Sequence, residues 1–208
     1  FALDFTKTED TNKTPVVPIL AASYAFRAHE KVTPYIEVGF LPPVPVFGTR
    51  NLIFQAAGGV GFQASDKVQL GVRAHAHVQR TVGEIATPIT EGEPAVPDLF
   101  VGSTLGIQAL AGYEAGPVTP YVMLGLIDAS TFFYVGDSSV VTDNFHPYLG
   151  PEYAVGIDGL VLEDRFRWGV EYYAAPGGSR TLEGAERLDG FSAYGRLHTV
   201  RLRLGVEL

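Results

Sequence analysis

Within KVQLGVRAHAHVQRTVG (67–83), three side chains able to do chemistry fall on one parity: Arg73, His75 and His77. If the segment is a strand, the two imidazoles stand about 7 Å apart on one face. They could supply two ligands to a metal. A third ligand such as Glu37 would be needed to complete a site, and nothing in the sequence brings one near. The competing reading is that Arg73, His75 and His77 take part in ordinary hydrogen bonds on the polar face of a sheet. A second chemical set is Asp128, Asp137, Asp143 and His146, acids and an imidazole close together in the chain. The GxSxG, HExxH and P-loop patterns that would mark a nucleophile, a zinc protease or a phosphate cradle are absent from the sequence. The chain is therefore expected not to be an enzyme.

What positions these residues follows from composition. The 208 residues are 46% hydrophobic and 18% charged, with 24 Gly, 14 Pro, 10 Tyr, 13 Phe, one Met and no Cys. That balance predicts one all-β domain over 1–208 with many turns, because Gly and Pro punctuate helices badly and aromatics suit strands. Lacking cysteine, the chain has no disulfide, thiol catalysis or Cys-ligated zinc. A net charge of −8 without a run of cations argues against nucleic acid as a partner. No run approaches the length of a membrane helix, and no basic-then-apolar leader precedes Phe1, so an exported protein would be present here as its mature chain.

Turn signals divide the chain into ten strands: 1–7, 15–26, 31–41, 51–64, 67–82, 99–115, 118–135, 145–162, 165–175 and 191–208. Their connections alternate. RAHEK, SDK, EAGPV and LEDR are short; TEDTNKTP, LPPVPVFGTR, GEIATPITEGEPAVPD, GDSSVVTDN and PGGSRTLEGAERLDG are long. Such alternation predicts an up-and-down antiparallel sheet with hairpins at one end and loops at the other. The weakest element is 1–7; if it does not span, or another segment does not, eight is the alternative count, since bacterial barrels have even strand numbers.

One parity of each strand is apolar: Phe166, Trp168, Val170, Tyr172 and Ala174 oppose Arg165, Arg167, Gly169, Glu171 and Tyr173, and Val200, Leu202, Leu204 and Val206 oppose Arg201, Arg203 and Gly205. The opposite parity mixes charge with Gly59, Gly61, Gly71, Gly102, Gly106, Gly112 and Gly125. Glycines make a poor solvated face and suit a crowded, narrow lumen. The apolar parity lasts about 9–11 residues, the length with which a tilted strand crosses hydrocarbon, and then turns polar, as at Arg80, Asp128 and His198. The expected fold is a transmembrane β-barrel with short periplasmic turns and long extracellular loops.

VTPYIEVGF (32–40), its echo VTPYVMLGL (118–126), YAVGIDGLVLEDRFRWGVEYY (153–173) and RLRLGVEL (201–208) resemble small bacterial outer-membrane β-barrel proteins of the OmpA-like or OmpX-like type. The resemblance implies the bacterial outer membrane as location and outer-membrane lipids as surroundings. It concerns architecture, not activity. Ten-stranded outer-membrane proteases of the omptin type make the rim set Asp128, Asp137, Asp143 and His146 an alternative, enzymatic reading. A narrow ion channel and a soluble lipocalin-like binder are two further readings of the same alternating strands.

Counted from the short turns, Glu37, Arg73, Asp158, Glu171, Arg201 and Arg203 share a depth of about five to seven residues, with Arg167 lower and Glu152 higher. At roughly 2.5 Å of height per tilted residue they form one belt. With His75 and His77 beside them, these four acids and four bases are expected to pair and plug the lumen, since an unpaired buried charge costs several kcal/mol. The acidic loops, with Glu91, Glu93, Asp98, Asp137 and Asp143, are the expected working surface. They would meet other envelope or surface-layer components or collect Ca²⁺ or Mg²⁺, and no other cofactor is expected.

Overall fold

A computed structural model of the chain describes residues 2–7, 17–26, 29–46, 49–83, 98–134, 141–161, 166–175 and 197–206. Among these residues there is strand and turn but no helix. The strands are β1 (Ala2–Lys7), β2 (Val17–Ala25), β3 (Val32–Val46), β4 (Thr49–Gln63), β5 (Val68–Gly83), β6 (Asp98–Tyr113), β7 (Val118–Tyr134), β8 (Val141–Val161), β9 (Phe166–Ala175) and β10 (Leu197–Val206). Each pairs antiparallel with its sequence neighbour in one curled up-and-down sheet, and β1 also pairs with β10, which closes the pairing order. β1 meets β10 over six pairs, Ala2↔Arg203 to Lys7↔His198, but meets β2 only at Ala2↔Ile19, Leu3↔Pro18 and Asp4↔Val17.

Local chemistry sets the short turns. Between β4 and β5 the Val68 amide donates to Ser65 Oγ at 3.2 Å, fixing the bend over Ser65–Lys67. Between β6 and β7, Gly116 has φ +73°, a left-handed conformation in which a Cβ would be strained.

The strands reach further toward the long-loop end than turn signals suggest. LPPVPVFGTR (41–50), expected to be a loop, is largely strand: β3 runs to Val46 and β4 begins at Thr49. Pro42 and Pro43 sit where the register shifts between Leu41 and Val44, a place where the missing proline N–H interrupts no ladder bond. Likewise β8 starts at Val141, inside the expected loop GDSSVVTDN. Asp143 consequently stands on a strand opposite Phe132, and Asp98 opens β6 opposite Gly83. Proline count and polarity signal loops there, but the continuing ladder with a long neighbour carries both segments into the sheet.

Parity assigns the two faces. Ile36, Val38 and Phe40 of β3, Val72 and Val78 of β5, Leu105 and Ile107 of β6, Val122, Leu124 and Leu126 of β7, and Val155 of β8 are all exposed, Leu105 at 64% and Leu124 at 66%. The opposite parity faces inward and carries the buried polar groups Gln108, Glu152, Glu171 and Thr199. It is not wholly polar. Met123, Ile127, Ala154, Tyr173 and Ala175 form an apolar cluster flanked by Leu110 and Tyr121, and Ile19, Leu41 and Ile53 form a second.

Candidate functional site

Large inward side chains are accommodated by glycines directly across the ladder. Tyr35 of β3 pairs with Gly59 and Tyr121 of β7 pairs with Gly156. A Cβ on Gly59 would come within 2.9 Å of the Tyr35 ring, and one on Gly156 would overlap Tyr121. The two VTPY echoes thus do the same work, each laying a tyrosine along the inner wall. His75 lies over Gly106, and Gln108 over Gly125, in the same way. Glycine on the inward parity is space for a neighbour's side chain.

Upon this floor stands the charge belt. Glu171 has a side chain of 0% exposure and accepts three bonds: from Arg201 Nη1 to Oε1 at 3.0 Å, from Arg203 Nη2 to Oε2 at 2.5 Å, and from the Tyr121 hydroxyl to Oε2 at 2.9 Å. A carboxylate with this many charged or hydroxyl donors tolerates full burial, because its solvation has been replaced rather than lost. The Arg201 guanidinium lies 4.5 Å over the Tyr173 ring. The Tyr173 hydroxyl in turn donates to Glu152 Oε2 at 2.6 Å, and Glu152 Oε1 stands 2.9 Å from His75 Nε2. A continuous chain of polar contacts therefore runs from β5 through β8 and β9 to β10. Arg73 Nη2 makes a looser ion pair with Glu37 Oε1 at 3.5 Å.

Most of the residues expected in the belt are brought together. Glu37 reaches Arg73, but His75 takes neither Glu37 nor Glu171; its partner is the higher carboxylate, Glu152. His77 is half-buried on the same face, opposite Gln55 and Thr104. Asp158 lies against its pair partner Gly169, within electrostatic reach of Arg203, Arg167 and Glu171. Arg167 is exposed, one residue into β9 from the turn. Among the described residues no three His, Asp or Glu side chains converge as a metal site would require.

Sequence reasoning misses Tyr121, Tyr173 and Gln108 as members of this set. All three stand on the inward parity, which is the signal that could have found them. Two buried polar atoms there have no hydrogen-bond partner, Arg73 Nε and Gln108 Oε1, on residues directly paired between β5 and β6.

The loop carboxylates fare differently. Glu91, Glu93 and Asp137 lie outside the described residues, as do the side chains of Asp98, Asp143 and His146. Asp128 is half-buried on β7 opposite Leu149. Comparison of the chain with protein-family models and with curated proteins gives no match.

Proposed function

We propose that this chain is a ten-stranded transmembrane β-barrel of a bacterial outer membrane, with a lumen closed by paired charges and a structural or envelope-interaction role carried by its acidic long loops. One observation carries the reading: the sheet is apolar outside and charged inside. A soluble barrel buries its large aliphatic side chains and exposes its charges. Here Leu105, Leu124 and Leu126 are exposed while Glu152 and Glu171 are buried. Contiguous exposed apolar surface on this scale calls for an apolar solvent.

The height and edges of that surface support the same reading. Tyr24, Phe26, Phe62 and Tyr113 are exposed near the short-turn end, with Phe166 and Trp168 at the same level on β9. Phe40 and Phe54, a cross-strand pair, stand toward the other end of the outer face. From Phe62 to Phe54 the strand climbs roughly 20 Å at the rise of a tilted strand, close to the apolar band of an outer-membrane barrel. One pair beyond Phe54↔Val78 on the same face comes Leu52↔Arg80, where the outer parity turns charged. Aromatic girdles with an aliphatic belt between them are what two membrane interfaces require.

In this reading the partners are outer-membrane lipids on the barrel wall and envelope components or divalent cations at the loops, and no catalytic step is assigned. The test is refolding of the purified chain. It should need detergent or lipid and run on gels at a mobility that changes on heating. A folded monomer in plain buffer overturns the reading. Planar-bilayer recordings should show no steady conductance, and a stable open level would refute the closed lumen.

A further inference from the structure

Beyond the Phe54↔Val78 pair the outer face of β4 and β5 becomes cationic rather than merely polar. Arg80 of β5 pairs with Leu52, and Arg50 of β4 pairs with Val82, one same-face step further toward the long loops. Both arginines are exposed. They are therefore diagonal neighbours on one face, with Cα atoms about 7–8 Å apart, a separation that long side chains span.

No acid of these strands balances them. β4 and β5 contain neither Asp nor Glu. Glu37, the acid of β3, is paired inside with Arg73, and Asp98, the acid of β6, falls on the inward parity. Going round the sheet from β5, the first acid on the outer parity among the described residues is Asp128 of β7, two strands away. Among the described residues neither Arg50 nor Arg80 makes an ion pair or a side-chain hydrogen bond. Like charges side by side on a sheet repel. In a chain of net charge −8, this pair stands against the prevailing sign and calls for an anion from outside the chain.

What lies beneath the pair decides which anion. Phe54, Phe40 and Val78 are exposed just below it, and the exposed prolines Pro42 and Pro43 flank Leu52 on the β3 side. A cationic head above an apolar strip matches a ligand with an anionic head above an apolar tail. We propose that Arg50 and Arg80 form a headgroup site for a phosphate-bearing lipid in the leaflet on the long-loop side. Its phosphate bridges the two guanidiniums, and its acyl chains lie over Phe54, Val78 and Phe40. A phosphate offers several oxygens to two planar forks and cancels the repulsion between them. The site rests on the membrane reading and narrows its lipid partner to one headgroup chemistry.

The probe is phosphatidic acid, whose head is a bare phosphate monoester, mixed with an equal amount of phosphatidylcholine and offered to the refolded full chain in detergent micelles. Native mass spectrometry reads the lipid retained. One phosphatidic acid per chain should be kept in preference to phosphatidylcholine. Arg50→Gln combined with Arg80→Gln should lower that preference about tenfold or more. Lys31→Gln combined with Lys67→Gln removes the same charge from exposed positions at the short-turn end and should leave it unchanged. Where the double arginine variant does not refold, each single arginine variant should lose part of the preference. Equal retention of the two lipids, a preference that survives in the folded arginine variants, or an equal loss in the lysine variant overturns the headgroup site and leaves the membrane reading standing. Folding as a monomer in plain buffer overturns the membrane reading and this site with it.

Discussion

His75 Nε2 lies 2.9 Å from Glu152 Oε1, although β6 and β7 separate their strands. The contact is possible because both side chains meet over Gly106, where a Cβ would run into the His75 ring and Glu152 Oε1, and the ladder partner of Glu152 on β7 is Gly125. Four residues distant in sequence thus make one joint.

Removing either end of that joint should be expensive. Glu152→Ala leaves His75 and the Tyr173 hydroxyl without their acceptor, and His75→Ala leaves a fully buried carboxylate with only Tyr173. Leaving a buried polar group without its hydrogen-bond partner costs about 1–3 kcal/mol, and more for a carboxylate. Urea unfolding in detergent or vesicles measures it, and Glu152→Gln, which keeps an acceptor for Tyr173, should lose less.

The glycine floor gives a paired prediction. Gly106→Val should fail to fold or lose several kcal/mol, because its side chain would occupy the space of the His75 ring and the Glu152 carboxylate. At Gly205 a Cβ meets nothing within 4 Å, so the stability of Gly205→Ala should lie within about 0.5 kcal/mol of the parent. Equal effects at both positions would show that packing against the inner wall is not what selects glycine.

Leu124→Arg tests what surrounds the outer face. At mid-height of an apolar band in lipid, arginine should cost about 2–4 kcal/mol of folding free energy. On a water-facing surface the same change would be neutral and would improve solubility. Vesicle folding titrations distinguish the two.

Trp168 is the only tryptophan in the chain and faces outward over Gly159 near the short-turn end. Its fluorescence should shift to the blue on transfer from denaturant to vesicles, and lipids brominated near the headgroup should quench it more than lipids brominated at the chain ends. Quenching that is strongest at the bilayer centre would put the girdle at the wrong height.

Much of this arrangement is legible in the amino-acid pattern alone. The parity of Ile36, Val38, Leu105, Ile107, Leu124 and Val170 marks the outer face, and the depth count gathers Glu37, Arg73, Glu171, Arg201 and Arg203 into one belt. The prolines of LPPVPV mislead, because the register shift between Leu41 and Val44 absorbs Pro42 and Pro43, and Pro45 stays in the ladder opposite Arg50. The partner of His75 is not legible, since it depends on which glycines lie beneath two side chains from non-adjacent strands.

Which residues share a face, and in what order the strands follow, can be read along the chain, because side-chain alternation has a period of two and each turn is encoded locally. Who meets whom across the interior is set by the assembled sheet. Glu152 rather than Glu37 meets His75, Tyr121 reaches over β8 to Glu171, and Arg201 stacks on Tyr173. Those contacts depend on the stagger and curvature of the sheet as it closes, which are properties of all its strands together and of no single segment.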